Sequence, residues 1–147
     1  MFIKSMLFRK KSVPVGIALG LFLALFLSLA AVNGLGKSAD LSTDAAAREE
    51  YIENLGWEID KTSLKIKTVK IPEKFGDVYE NYNEIQKKAG FDLSLYRGKR
   101  VKIFTYSVLN YPEKPDGVML NLMIADGRVI GGDVCTAQIN GFMLPIK

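Results

Sequence analysis

The stretch Val118–Cys135, with the sequence VMLNLMIADGRVIGGDVC, decides the fold of this chain. Two apolar segments, Val118–Ala125 and Arg128–Cys135, are joined by the dipeptide Asp126-Gly127. A type I′ turn needs positive φ at both central residues, which Asp tolerates and Gly favours. The pattern therefore predicts a β-hairpin and, with it, an antiparallel sheet.

The second strand of this hairpin carries Gly131, Gly132 and Asp133 where apolar residues are expected. A regular register across the turn sets Leu120 opposite Asp133, on the face that carries the apolar side chains. An unpaired carboxylate is very unfavourable there. Either Asp133 is hydrogen-bonded in a cavity floored by the two glycines, or a bulge at these glycines turns it outward. Glycine pairs in strands often mark bulges, which favours the second interpretation.

A helix is predicted over Asp44–Leu55, with Ser42 or Thr43 as its N-cap. Gly56 is expected to end this helix in the left-handed conformation. Trp57 then folds back onto the helix, and we interpret it as an anchor of the core. A short polar linker is expected to precede the helix.

Strands are predicted at Trp57–Asp60, Leu64–Ile71 and Arg100–Leu109. The apolar residues of the second segment change side-chain parity, which predicts a bulge near Lys67. Its lysines are interpreted as solvated residues of an edge strand, which deter aggregation.

A second helix is expected where Asp77 and Glu80 have the spacing of a capping box. Gly90 ends it. Its predicted buried face consists of apolar residues at helical spacing: Val78, Tyr82, Ile85 and Ala89. Because both helices end in Gly followed by an aromatic residue, we expect them on one face of the sheet. The fold class is α+β, with about five antiparallel strands and two helices packed on one face.

Composition excludes several classes of function. The chain has 20 basic and 16 acidic residues, but four of the basic ones precede Lys37, so the chain from Lys37 onward has 16 of each and is neutral. A nucleic-acid partner is not expected, because phosphate affinity needs excess Lys and Arg. Histidine is absent and Cys135 is the one cysteine, so no disulfide, His-based catalysis or His–Cys metal site is expected. No cofactor is expected.

An apolar run of 20 residues, Val13–Val32, follows a basic N-terminus. About 20 residues at 1.5 Å each span the ~30 Å hydrocarbon core, and the run is longer than the core of a signal peptide. We expect an uncleaved single-pass anchor, although cleavage after Ala30 or Ala31 would give a secreted protein. The positive-inside rule places the C-terminal part outside the cell membrane. The predicted organisation is a cytoplasmic flank (1–12), a transmembrane helix (13–32), a linker (33–42) and an extracytoplasmic domain (43–147).

Candidate site residues are few. Asp133 is the foremost, with Asn121 as a possible partner. Arg97 begins a basic run that could meet lipid headgroups or an anionic envelope polymer, although a solvated face is favoured. Asp92 is interpreted as a local backbone acceptor, and Cys135 as a packed core residue rather than a reactive thiol.

Several segments resemble a family found in clostridial bacteria, the domains of unknown function numbered 4830. They are Gly56-Trp57-Glu58, Tyr82-Asn83, Gln86, Gly90 to Ser94, Tyr96 to Lys99, Tyr106, Asn110-Tyr111-Pro112, Asn121-Leu122, Val129 to Cys135 and Gly141-Phe142-Met143. The resemblance implies a membrane-anchored extracytoplasmic domain and supplies no catalytic residue. From the predicted anchor, the neutral domain and the missing catalytic repertoire, we expect a non-enzymatic binding module at the cell envelope, held by a single span and contacting an envelope protein or anionic polymer. The alternatives are a small-ligand binder or enzyme centred on Asp133, and a secreted inhibitor-like domain.

Overall fold

The computed structural model describes residues 39–112, 117–138 and 141–147, all within the compact unit Ala39–Lys147. The predicted transmembrane helix at 13–32 lies outside the described residues. Among the residues described, no helix is long and apolar enough to cross a membrane. The element order is α1 (Ala45–Asn54), β1 (Ile59–Lys70), α2 (Asp77–Lys88), a 3₁₀ turn (Leu93–Tyr96), β2 (Arg100–Val108), β3 (Val118–Ala125), β4 (Arg128–Thr136) and β5 (Met143–Pro145).

The five strands form one antiparallel sheet in the order β1-β2-β3-β4-β5. The structure has the predicted number of strands, but two of the strands differ from those predicted. The segments predicted as separate strands at 57–60 and 64–71 are one strand, β1, whose register against β2 shifts between Asp60 and Lys65. The bulge expected near Lys67 is therefore wrong, because the pairing is regular from Lys65 to Lys70. The fifth strand is the short β5.

The β3–β4 hairpin forms as predicted. Asp126 and Gly127 have φ values of 49° and 73°, as a type I′ turn requires. The register shifts once, between the Met123 and Ile124 positions, so that Ile130 is the extra residue of a bulge. From there on Asn121, and not Leu120, lies opposite Asp133.

Both faces of the sheet are covered. The first face carries Phe104, Tyr106, Leu120 and Leu122 and packs against Ile52 of α1. The second face carries Val101, Ile103 and Met123 and packs against Tyr79 and Tyr82 of α2. Successive residues of a strand point to opposite sides, so the two helices contact opposite faces of the sheet. The expectation that both helices share one face is therefore wrong.

Helix α1 begins and ends close to the predicted positions, but its cap differs. The side chain of Asp44, and not of Ser42 or Thr43, accepts a hydrogen bond from the Ala47 N–H. At the other end, the Trp57 N–H donates to the Ile52 carbonyl at 3.4 Å across Gly56. Trp57 packs against the core of the first face, which confirms its interpretation as an anchor.

Helix α2 differs from prediction in its cap and its orientation. Gly76 is the N-cap and makes no side-chain cap bond, so the capping box at Asp77 does not form. The buried residues of the helix are Asn83 and Gln86, whereas Val78 is 85% exposed. The predicted apolar face is thus wrong at Val78, and the helix leaves part of its apolar stripe uncovered.

Candidate functional site

A row of polar residues crosses the buried second face of the sheet. Thr105, Asn121 and Asp133 are direct neighbours on β2, β3 and β4. The Thr105 hydroxyl donates to Asn121 Oδ1 at 2.7 Å, and Asn121 Nδ2 donates to Asp133 Oδ1 at 2.9 Å. Asp133 is 1% exposed. The bulge at Ile130 thus moves Asp133 away from the first face, and α2 buries it on the second.

Tyr82 of α2 also contacts Asp133, and together with the polar row it forms the buried cluster: Tyr82, Thr105, Asn121 and Asp133. Its hydroxyl donates to Asp133 Oδ2 at 2.7 Å, so each carboxylate oxygen accepts a hydrogen bond. Burial, and then the negative charge of Asp133, raise the pKa of Tyr82 above its ordinary range. Tyr82 therefore stays protonated and acts as a donor. Each of the two alternatives for Asp133 is therefore right in part. A bulge exists, at Ile130 and not at the two glycines, but Asp133 is buried and hydrogen-bonded and does not turn outward.

Cys135 lies two residues further along β4, on the same face. Asn121 Nδ2 lies 3.4 Å from its sulfur, within hydrogen-bonding distance. Burial, with a further contribution from the charge of Asp133, raises the pKa of the Cys135 thiol to about 11. The thiol is therefore protonated at neutral pH, which agrees with a packed core cysteine. Neither Tyr82 nor Cys135 has the lowered pKa of an activated nucleophile.

The two glycines of β4 allow close approach. A Cβ on Gly131 would lie 2.9 Å from Gln86 Oε1, and one on Gly132 would lie 2.8 Å from Ile146 Cδ1. The Gly132 N–H donates to Gln86 Oε1 at 2.7 Å. Gln86 Nε2 is buried without a partner among the described residues. The glycines therefore fit Gln86 and Ile146 against β4; the bulge itself lies one residue earlier.

An open apolar groove of about 420 Å³ runs between α2 and β5. Its walls are Val78, Tyr79, Asn81, Tyr82, Ile85 and Met143. Tyr82 links the groove to the buried cluster, because the same side chain lines the groove and donates to Asp133. No charged residue lines the groove among those that the structure describes. The groove is therefore an apolar surface that is open to solvent.

The remaining predicted site residues have other partners. Asp92 accepts from the Ser94 N–H and from Asn83 Nδ2, both at 2.9 Å, and these bonds lower its pKa to about 2. This confirms the local acceptor role expected of Asp92. Arg97 stacks over Phe75 and forms an exposed ion pair with Glu80 at 3.7 Å. The structure thus brings Asn121 and Asp133 together and engages Asp92 and Arg97 in separate contacts.

Sequence reasoning missed Tyr82 and Gln86 as partners of β4. One signal was present: β3 reads as a nearly continuous apolar run, VMLNLMIA, which is typical of strands covered on both faces. If a helix covers the second face of the sheet, that helix is expected to supply a hydrogen-bond donor to a buried Asp133. Within the described ranges, no three His, Cys, Asp or Glu residues lie close enough together to hold a metal ion.

Together these features define a small α+β domain with a five-stranded antiparallel sheet, helices on both faces and an apolar groove beside one edge. The chain belongs to a family of unassigned function: a family model described as a domain of unknown function, DUF4830, matches residues 51–134. This confirms the family, though not its clostridial origin, that the sequence resemblance indicates. The match begins in the last turn of α1, ends within β4 and includes Tyr82, Asn121 and Asp133. No curated protein and no solved structure matches the chain.

Proposed function

We propose that this protein is a membrane-anchored binding module, without enzymatic activity, whose extracytoplasmic domain recognises a protein partner through the groove between α2 and β5. The carrying observation is Val78, an apolar residue that is 85% exposed at the rim of an apolar groove. Exposed apolar surface around a groove marks interaction sites. Met143, 43% exposed, extends this surface onto the sheet edge.

The buried cluster supports a binding module over a catalyst. Both oxygens of Asp133 are occupied by donors, and the thiol of Cys135 is kept protonated. A general base must reach a substrate proton, which an enclosed carboxylate with two fixed donors does not do. The cluster instead holds α2 on the sheet, so that the groove keeps its shape.

The anchor in this proposal rests on the apolar run Val13–Val32 and on the basic residues before it. Cysteine labelling in intact cells tests this topology. A membrane-impermeant maleimide should label Lys65→Cys, on exposed β1, and should leave Ser12→Cys unlabelled until the cells are lysed. Labelling of both, or of Ser12→Cys alone, would contradict the proposed orientation. Recovery of the chain from the medium would indicate a cleaved, secreted form.

Photo-cross-linking in the native cell tests the groove. The photoreactive residue p-benzoylphenylalanine replaces Val78, and the matched control carries it at Ile66, which is 58% exposed on the opposite edge strand. We expect a defined protein, identified by mass spectrometry, to be captured from position 78 and not from position 66. Ile85→Glu, which places a charge in the groove, should abolish the capture. Equal capture from both positions, or none, would overturn the proposal.

A further inference from the structure

The outer surface of α2 carries a charged residue at each end of its apolar stripe. Val78 and Ile85 both line the groove. Asp77 lies at the first turn of the helix and Lys88 at its last, and both are exposed. They are eleven residues apart, about three full helical turns, so they point in nearly the same direction. The stripe therefore has an acidic end and a basic end along one rim.

These two charges have no ion-pair partner within the described parts of the chain. The other charged residues of α2 are engaged: Glu84 with Lys87 at 2.8 Å, and Glu80 with Arg97 at 3.7 Å. The ion pairs of the remaining described residues do not involve Asp77 or Lys88. The rim of the groove thus presents one free carboxylate and one free ammonium group at opposite ends.

We propose that the partner at this groove is a second copy of the same chain, with the two α2 helices paired antiparallel about a two-fold axis near Asn81. This inference rests on the proposed function, because it names the partner of the same surface. The axis places Val78 of each copy against Ile85 of the other. It also brings each Asp77 close to Lys88 of the other copy.

The charges select this arrangement. A two-fold interface is self-complementary, since each patch meets its own copy in reverse. Antiparallel helices bring the acidic end of one rim to the basic end of the other, whereas parallel helices would oppose like charges. A contact through one pair of helices is small beside the ~1,200 Å² that stable interfaces typically bury. Anchoring of both copies in one membrane raises their effective concentration, which makes such a small interface sufficient.

Disulfide cross-linking of the full chain in membranes tests the pairing. Asn81→Cys lies near the proposed axis, whereas the control, Lys65→Cys, lies on β1 at the far edge of the sheet. The native Cys135 is buried, so it contributes little background. Mild oxidation should link Asn81→Cys into a covalent dimer and should leave Lys65→Cys monomeric. Equal linkage of the two variants, or none, would overturn the inference.

Charge reversal at the two exposed residues provides a second test, with circular dichroism of each variant as the check that α2 still forms. In the Asn81→Cys background, Asp77→Lys alone or Lys88→Asp alone should lower the cross-linked fraction at least about threefold, because each reversal opposes like charges at two symmetric contacts. The combined reversal exchanges both partners and should restore the cross-link. Unchanged cross-linking in the single variants, or no restoration in the combined one, would contradict the antiparallel pairing.

The two proposals fail in distinguishable ways. If Asn81→Cys gives no dimer while photo-cross-linking from position 78 captures a different protein, the second-copy inference is overturned and the binding groove stands. If neither experiment captures anything, both proposals are overturned. A dimer captured by both reagents supports both.

Discussion

The hydroxyl of the half-buried Tyr82 donates to the buried carboxylate of Asp133 at 2.7 Å, and this contact joins α2 to the sheet. It also connects the wall of the groove, which Tyr82 lines, to the rest of the buried cluster. The contact exists because the bulge at Ile130 places Asp133 on the second face of the sheet, under α2. A single irregularity in β4 thus determines how the helix is held.

Removal of this donor should destabilise the domain. Tyr82→Phe leaves Asp133 Oδ2 buried without its hydrogen bond, which we expect to lower the free energy of unfolding by about 1–3 kcal/mol. Fluorescence of Trp57, the only tryptophan, follows thermal or urea unfolding of the full chain in mild detergent.

The control variant for Tyr82→Phe is Tyr51→Phe. Tyr51 is half-buried on α1, and no described residue forms a hydrogen bond with its hydroxyl. Its substitution should change the free energy of unfolding by less than about 0.5 kcal/mol. Equal stability of Tyr82→Phe and the wild type would show that the Tyr82–Asp133 contact does not hold α2.

The sequence predicts the hairpin well because Asp126-Gly127 is a local signal: the turn conformation depends on two residues alone. The bulge is different. Gly131 and Gly132 predict a bulge at their own positions, yet they are required for close approach of Gln86 and Ile146. A glycine in a strand sequence is compatible with a bulge and with close approach of another element, and only the packing of distant elements decides between the two.

The orientation of the helices is likewise decided by long-range packing. The Gly-aromatic endings of α1 and α2 are real, but they specify how a helix ends and not which face it covers. On α2 the polar residues Asn83 and Gln86 point inward, because Asn83 accepts from the Leu93 N–H and Gln86 from the Gly132 N–H. Periodicity alone would place Val78 inside, which is why the groove could not be predicted.

The thiol of Cys135 should react slowly in the folded protein. With a pKa of about 11, the fraction of thiolate at pH 8 is small, and alkylation by iodoacetamide should accelerate only as the pH approaches that value. Asp133→Asn removes a nearby negative charge, so we expect a lower pKa and faster alkylation at pH 8. Mass spectrometry of the alkylated chain at graded pH measures both. Rapid labelling of the folded wild type at pH 7 would contradict the raised pKa.

The same pKa shift predicts how stability depends on pH. The ordinary thiol pKa is 9.0, and the folded pKa is about 11. At lower pH both states carry the proton, so the shift has no effect there. As the pH rises from about 9 to 11, the unfolded state releases its proton first and stability falls. Cys135→Ala should reduce this loss in urea titrations of the full chain across that range, whereas an unchanged slope would count against the assignment.

Gly132 should not tolerate a side chain. A Cβ there would meet Ile146 Cδ1 at 2.8 Å and the backbone oxygen of Asn121 at 3.0 Å, and the backbone cannot move as freely as a side-chain end. We expect Gly132→Ala to lower the free energy of unfolding by about 1–3 kcal/mol. The control is Gly76→Ala, since nothing lies within 4 Å of its Cβ position. If urea midpoints of the two variants coincide, the close approach at Gly132 is not a constraint on the fold.

Arg48 should be more sensitive to substitution than its position on a surface helix suggests, because it is 3% exposed. Its Nε donates to the Tyr106 hydroxyl and its Nη1 to the Leu41 carbonyl, both at 2.9 Å, and its guanidinium lies over the Phe104 ring. A lysine ammonium lacks the planar fork that makes these contacts together. Arg48→Lys should therefore lower the free energy of unfolding by about 1–3 kcal/mol.

The matched control is Arg128→Lys, since Arg128 is exposed at the start of β4. We expect that substitution to be neutral within about 0.5 kcal/mol. Arg48 also joins Leu41 to the first face, so Arg48→Lys should expose residues 40–44 to hydrogen exchange faster than the rest of the domain. Exchange that is uniform in both variants would show that Arg48 does not fasten this segment. Protection lost at 40–44 alone would identify it as the residue that attaches the start of the domain to the sheet.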